Sequence, residues 1–455
     1  MKGQSLMQKQ KQVDMIHEKP LTALFRFAVP LLFGNLLQQL YNMADSVVVG
    51  NLIGSDALAA VGTSGPLIQL MLGFFMGLSA SVSILTAHAV GKQDHSRMER
   101  LMHTALLMGL GSGLVIGVVG IVISPTLLRL MNTPAEVYGM ACDYMTIIMG
   151  GMATSLLFNV INGVLQGVGD TKTPLLILLI CSVVNVVLDL LFVAAFHMTA
   201  DGVAWATVIA QALSVAFGLG CIRRAGLMQS LRPSRMRFSL PEMKEILRLG
   251  FPAGLQNALD SIGNLLVQGV LNGFGAVAIA ANLAVIKVDS FCTMPMMTFA
   301  SATTVFVGQN LGAKQPKRVR QAVRLSLLAT LAMAAVISLL LVTCGPAMLG
   351  LFTQDQAVVE AGMDKIRILA PLYACMGIWV VLAGAVRGSG KTLPPMLIGV
   401  LGMFLVRVPI ATFLSRSIGV NGVHWSLGVV WAVQSLSIAL YLLWQKKKGA
   451  ARAET

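Results

Sequence analysis

The sequence predicts an all-α membrane protein: twelve transmembrane helices in two six-helix lobes related by a parallel internal repeat. Three observations carry this. The chain has 455 residues, 56% apolar and only 11% charged, where an average soluble domain is about 25% charged. Twelve apolar runs approach or exceed the roughly 20 residues that a helix needs to cross a bilayer. Motifs of the first half recur in the second at a nearly constant spacing. Too little charge is present to cover a soluble surface, which excludes a soluble multidomain enzyme.

In chain order the runs fall at 25–48, 57–86, 104–124, 138–166, 175–196, 202–222, 247–272, 276–308, 324–344, 366–386, 395–414 and 423–444. Helix-start chemistry precedes several. Thr133-Pro134-Ala135-Glu136 offers an N-cap, a first-turn proline and a returning Glu. Thr173-Pro174 repeats the first two elements. Ser239-Leu240-Pro241-Glu242 reads as a capping box opening an amphipathic stretch before the seventh span.

The net charge of +14 is distributed as a topology signal. Of 33 Lys and Arg, 26 fall on the N-terminal segment, alternate loops and the C-terminal segment. Four (Arg129, Lys365, Arg367 and Arg416) fall on the other loops and their flanks, and Arg26, Lys287 and Arg407 lie within or just inside spans. This asymmetry places both termini and the 223–248 loop in the cytoplasm, with anionic lipid headgroups as partners. Nucleic acid is not expected, because the bases are scattered over short loops without interleaved aromatics. Cys142, Cys181, Cys221, Cys292, Cys344 and Cys375 stand singly, without metal-ligand spacing, and read as small apolar residues. The first twenty residues carry no signal-peptide pattern and read as a polar cytoplasmic tail.

The repeat is explicit. Gly167-Val168-Gly169-Asp170-Thr171 answers Gly388-Ser389-Gly390-Lys391-Thr392 at a spacing of 221, as Gly91 and Arg97 answer Gly312 and Arg318. Asp201-Gly202-Val203-Ala204-Trp205 answers Asn421-Gly422-Val423-His424-Trp425 at 220, and Pro30 answers Pro252 at 222. Six spans per unit give both units one orientation, the parallel-repeat plan of secondary transporters. The expected organisation is a tail (1–20), an N-lobe (21–222), a cytoplasmic linker (223–245), a C-lobe (246–444) and a second tail (445–455).

Polar residues at membrane depth are costly and usually functional. Asp45 on the first span has Tyr41 one turn before it, and Asp189 on the fifth has Asn185 in the same relation. Asn159 and Asn162 lie on the fourth span and Thr207 on the sixth. No Lys or Arg falls at mid-depth in this half. Two carboxylates without a fixed counter-charge suit a proton, or a hard cation held by oxygen ligands. Asp45, Asp189, Asn185 and Thr207 are the candidate Na⁺ ligands, and no resident cofactor is expected. In the second half, Asn257, Asp260, Asn264 and Gln268 follow one face of the seventh span. Lys287 and Asp289 lie on the eighth and Arg407 on the eleventh. Two acids and two bases read as an internal ion-pair network, with Asp260 also able to meet substrate. Pro30 lies about four turns before Asp45 and is a candidate hinge.

Two motifs mislead. Gly388-Ser389-Gly390-Lys391-Thr392 resembles the end of a phosphate-binding loop, but Ala385 stands where that loop needs Gly and no strand precedes it. Gly167-Val168-Gly169-Asp170 resembles an intramembrane aspartyl protease motif, but polar residues follow it and its repeat partner lacks the acid. No metal-protease motif or nucleophile elbow is present, so no enzyme is expected.

Pro30 through Tyr41-Asn42-Met43-Ala44-Asp45, the Gln166-Gly167-Val168-Gly169-Asp170-Thr171 turn and Asn185 to Asp189 together resemble the multidrug and toxic compound extrusion (MATE) family, over nearly the whole chain. The resemblance implies antiport of organic cations and other amphipathic compounds at the cell membrane. It also implies a coupling site for H⁺ or Na⁺ at Tyr41, Asp45, Tyr144, Asn159, Asn162, Asn185, Asp189 and Thr207, with bending at Pro30. Another branch carries an acid on the seventh span and a second on the tenth. Asp260 matches the first, and Met376 stands at the place of the second. The expected function is cation-coupled efflux by a monomer through rocking alternating access. The alternatives are a flippase or exporter of a lipid-linked or other amphipathic metabolite, and a membrane-embedded enzyme.

Overall fold

The computed structural model describes residues 12–131, 133–227 and 237–451. The outer parts of both expected tails, and 228–236 of the expected linker, lie outside the described residues. Every regular element among them is helical. In order they are α1 (Pro20–Val48), α2 (Ser55–Gly91), α3 (His95–Leu130), α4 (Ala135–Gly150), α5 (Met152–Gly167), α6 (Lys172–Leu190), α7 (Ala200–Arg224) and α8 (Leu240–Asn272). Then follow α9 (Gly275–Gly312), α10 (Pro316–Gly350), α11 (Gln356–Leu369), α12 (Tyr373–Gly388), α13 (Leu393–Leu401), α14 (Val408–Ile418) and α15 (Val420–Ala451). Among the described residues, ten helices or helix runs are long and apolar enough to cross a bilayer, and α4 with α5, bent by 48°, makes an eleventh. The twelfth expected span is α8. It has 33 residues, but Asn257, Asp260, Asn264 and Gln268 keep it more polar than the rest.

The duplication is visible helix by helix. Met152–Gly167 and Tyr373–Gly388 begin and end 221 residues apart, and His95 and Pro316 open α3 and α10 at the same offset. Their surroundings repeat too. α5 packs on α2, α3 and α7, and α12 packs on the equivalent α9, α10 and α15. Backbones meet closely at equivalent glycines. A Cβ on Gly163 would stand 2.6 Å from the Ser79 carbonyl oxygen, and one on Gly384 would stand 2.8 Å from that of Ala300. Small residues at helix crossings are how membrane helices gain packing contact without a hydrophobic drive between them. Outward faces are apolar, with Val115, Val118 and Val122 exposed on α3 and Val336 and Leu339 on α10.

Contacts divide the chain into two compact units. Unit 1 comprises Val29–Gly254 with the described residues before Met15, and unit 2 comprises Met15–Ala28 and Leu255 onward. Each unit therefore contains the opening of a helix that continues in the other. α1 changes unit two residues before Pro30, and α8 two residues after Pro252. Both prolines lie inside continuous helices. In unit 1 the opening of α8 is held by Arg97, which pairs with Glu242 (3.5 Å) and Glu245, and Arg100 reaches Glu242 at 4.0 Å. In unit 2 the segment before α1 is held by Arg318, whose Nη2 donates to the carbonyls of Met15 (3.2 Å) and Glu18 (2.5 Å). Asn310 adds a hydrogen bond to the Met15 carbonyl at 2.9 Å.

Local helix starts differ from the sequence expectation. Pro134, not Thr133, occupies the N-cap of α4, and the Thr133 hydroxyl donates to the carbonyl of Leu128 (2.7 Å) instead. The Ser239 amide donates to the Thr104 hydroxyl (3.1 Å), and Glu242 pairs with Arg97 and Arg100 instead of closing a capping box. Thr173, expected as an N-cap, lies inside α6, whose N-cap position is Thr171; the Asp170 carboxylate just before it accepts from the Thr173 amide (2.9 Å) and hydroxyl (2.6 Å). That is a structural role for the acid of the protease-like motif. All six cysteines are free, and Cys344 is exposed.

Candidate functional site

Two polar clusters occupy helices that cross the membrane, one in each unit.

In unit 1, Asp45 lies near the end of α1 and Asp189 near the end of α6. Both helices then continue as π-helical turns, Val49–Ile53 and Leu191–Ala195, which touch each other. A π turn adds a residue to the helical repeat and commonly marks a functional site. Val49, Ala57, Val193, Ala200 and Val203 form an apolar cluster beside them, with Tyr144 packed against it. Asp189 and Asn185 are 0% exposed. The two carboxylates lie within interaction distance, and Tyr41 and Tyr144 face both. Tyr41 also meets Thr207, whose hydroxyl donates to the Val203 carbonyl at 3.0 Å and so keeps its lone pairs for another donor.

The hydrogen-bond inventory of this cluster is incomplete. Asp45 Oδ1, both carboxylate oxygens of Asp189 and the Asn185 amide are buried without partners, as is Asn162 Oδ1 on α5. Buried polar atoms are nearly always satisfied, so a group of orphans needs an explanation. The ion pairs among the described residues are Arg26–Glu18, Arg97 with Glu242 and Glu245, Arg100–Glu242 and Arg367–Asp364. None reaches Asp45 or Asp189. Unneutralised oxygen acceptors of this kind can take a proton, or a hard cation. Asn159 is less available, because its Nδ2 donates to the Ser155 carbonyl at 2.9 Å. Ser155 in turn donates to Gln211 (2.5 Å), a polar partner on α7 that the sequence reading did not single out.

Unit 2 holds the second cluster. Asp260 on α8 faces Gln256, Arg407 and Arg387. Arg407, at the end of the π-helical turn Gly402–Arg407, donates from Nη1 to Asn264 Oδ1 at 2.7 Å. Lys365 on α11 is 5% exposed, and its Nζ donates to Asn282 Oδ1 at 2.7 Å. Asn282 continues to Gln268 (3.4 Å), which donates to Asn272 (2.8 Å). Asp289 accepts from the Tyr373 hydroxyl at 2.5 Å and faces Lys365. The Asn257 carbonyl accepts from Ser261 (2.9 Å). Lys287 is placed differently from the expected network: its ammonium lies 5.5 Å from the Phe352 ring centroid, away from any carboxylate ion pair. Its role is taken by Lys365, read from sequence as a loop flank, and by Arg387, read as a loop residue. Met376 is 6% exposed in the apolar core of unit 2.

The family model described as MatE matches residues 30–191 and again 252–413. The chain belongs to the MatE family. The two matches begin at Pro30 and at Pro252, the pair that opened the repeat in sequence. The chain is 29% identical over 437 residues to a probable multidrug resistance protein of Bacillus subtilis, covering 95% of this chain and 96% of that one. It is 26% identical over 439 residues to an FAD transporter of Shewanella oneidensis, with 95% and 96% covered. A crystal structure of MATE in the bent conformation superposes with a TM-score of 0.90 at 21% identity, covering 97% of this chain and 99% of that one. This MatE protein is accordingly a multi-pass membrane protein of a multidrug efflux transporter family, with that family's fold.

Proposed function

We propose that this MatE protein is a secondary antiporter that exports amphipathic small molecules in exchange for H⁺ or Na⁺ taken up in unit 1. The observation that carries the reading is the Asp45–Asp189 pair, Asp189 buried and Asp45 half-buried, with no basic ion-pair partner among the described residues and with orphaned buried oxygens on both. Asp45 and Asp189 bear the ion, with Asn185 and Thr207 completing the oxygen set for Na⁺. Tyr41, Tyr144, Asn159 and Asn162 shape the cluster. As a bare pair of anions the site is costly in the membrane, so filling it favours a tighter packing of α1 against α6. Pro30 supplies the bend through which α1 responds. A membrane potential contributes about 2.3 kcal/mol per charge moved across 100 mV, comparable to the roughly 1–3 kcal/mol of typical coupling between sites.

The protein works as a monomer in the cell membrane, with both termini cytoplasmic, an orientation that the Lys and Arg asymmetry supports. It needs no resident cofactor and performs no covalent chemistry. An amphipathic metabolite as cargo is the second reading, supported by the relative described as an FAD transporter, since FAD is an anionic dinucleotide. The test is efflux of a fluorescent cationic dye from proteoliposomes with pH and sodium gradients imposed separately. Efflux driven by one gradient and lost in the Asp45→Asn/Asp189→Asn double variant supports the assignment. Undiminished gradient-driven efflux by that variant refutes it.

A further inference from the structure

The geometry of unit 2 points to a binding function that the coupling site does not use. We propose that unit 2 recognises an anionic group, a carboxylate or phosphate, on the exported molecule through Arg407 and Lys365. Arg387 supports them, and Asp260 is the internal counter-anion that the ligand's charge displaces. The inference rests on the efflux reading above and names the class of its substrate.

Arg387, Arg407 and Lys365 converge on the cluster, and its acids are Asp260 and Asp289. Positive charge is in surplus, whereas the unit 1 cluster has two acids and no base. A cationic group in unit 2 would meet Arg407 and Lys365, and an anionic group is complementary to them.

The way the two bases are held points the same way. Arg407 and Lys365 are each anchored at 2.7 Å by a neutral amide, Asn264 and Asn282. An amide fixes a cation's position without cancelling its charge. The second amide is itself positioned by Gln268 and Asn272. If these bases were only structural, carboxylate partners at ion-pair distance would be the expected compensation for burial. Asp289 is instead engaged by Tyr373.

Unpaired side-chain nitrogens lie in the same cluster. Arg407 Nε and Arg387 Nε are buried without acceptors, and His424 Nδ1, 5% exposed and facing Lys365, has no partner. A guanidinium grips a carboxylate or phosphate by two parallel N–H donors. On Arg407 the Asn264 contact uses Nη1 and leaves Nε for the ligand. Asp260, facing both guanidinium groups, occupies their field when no substrate is bound.

The test uses three fluorescent probes with purified full-length protein: carboxyfluorescein for the carboxylate, flavin mononucleotide for the phosphate and rhodamine 6G as the cation. Binding is read by anisotropy at constant ionic strength, and gradient-driven efflux is read in proteoliposomes. At least one anion binds wild type and is exported. Arg407→Gln and Lys365→Gln lower the anion-to-cation efflux ratio about 10- to 100-fold, the worth of one charge-assisted hydrogen bond, and Arg407→Lys recovers part of it. Asp260→Asn tightens anion binding, which a merely misfolded variant would not do. Failure of both anions to bind wild type overturns the proposal, as does weaker anion binding by Asp260→Asn. Export of rhodamine 6G alone overturns it while leaving the efflux reading intact. Absence of gradient-driven export for every probe strikes the efflux reading, and the binding measurement still decides this one.

Discussion

Arg97 and Arg318, 221 residues apart, do the same work in the two units: each fastens the opening of a helix that belongs mostly to the other unit. They do it by different chemistry. Arg97 pairs with the carboxylates of Glu242 and Glu245, while Arg318 donates to the backbone carbonyls of Met15 and Glu18 and to the Asn310 side chain (3.0 Å). Arg318→Ala strands the Glu18 carbonyl and Asn310 Oδ1, while the Met15 carbonyl keeps its bond from Asn310, and should cost about 2–6 kcal/mol at roughly 1–3 kcal/mol for each buried acceptor. Arg97→Ala leaves the Glu242 carboxylate, 6% exposed, with only Arg100 at 4.0 Å, and should cost about 1–3 kcal/mol. Thermal unfolding of the purified variants checks the order; a larger loss in Arg97→Ala would contradict it.

The unit 1 acids should separate function from stability. Asp45→Asn and Asp189→Asn remove charge from a buried cluster without removing volume, so folded yield and unfolding midpoint should not fall. Gradient-driven dye efflux should drop at least about tenfold in each, by analogy with the loss of a single charge-assisted contact. Side-by-side unfolding and efflux measurements test the pair of statements. A midpoint that falls in step with efflux would mean that these acids hold the fold.

Tyr373 and Asp289 should be energetically coupled. Tyr373→Phe keeps the ring that packs 5.6 Å from Trp431 but removes the 2.5 Å hydrogen bond, leaving Asp289 Oδ1 unpaired at a cost of about 1–3 kcal/mol. Asp289→Leu with Tyr373→Phe removes both ends and should cost less than the sum of the two single changes. A double-mutant cycle in chemical unfolding gives the coupling, and strict additivity would remove this contact from the account of unit 2.

Close helix crossings make a sharper packing prediction. A Cβ on Gly113 would stand 2.4 Å from Ala153 Cα, whereas one on Gly111, on the same helix, meets nothing within 4 Å. Gly113→Ala should destabilise by about 1–3 kcal/mol through overpacking. Gly111→Ala should be neutral or slightly stabilising, because Ala is the better helix former. The monodisperse fraction after solubilisation reads the difference, and equal fractions would argue against the close α3–α5 contact.

Much of this architecture was legible in the sequence because it rests on short-range patterns. Apolar runs located the spans, and the Pro30–Pro252 spacing of 222 located the duplication that the family match later traced from the same two residues. Asp45 and Asp189 stood out because acids are rare in apolar helices. Lys365 was not legible as an interior group. It falls in α11, where Asp364 and Arg367 pair on the exposed face at 3.1 Å, so the stretch looks like a polar loop until helical phase turns Lys365 inward. Arg387 has the same difficulty, being next to a glycine-rich turn. At the 48° bend between α4 and α5, a Cβ on Gly151 would come 2.3 Å from Val208. That constraint comes from α7 and has no local signature. The π turns after Val48 and Leu190 are equally invisible in composition.

The crossed ownership of the two helix openings also governs how the protein is made. Met15 and Arg318 are separated by 303 residues, which a ribosome adding about 5–20 residues per second covers in roughly 15–60 s. Throughout that interval the leading segment has been synthesised but its fastener has not, so unit 2 cannot close until translation is well into the second repeat. A chain cut between residues 227 and 237 would yield two fragments that must find each other to mature, each carrying the first turns of a helix that the other's unit requires.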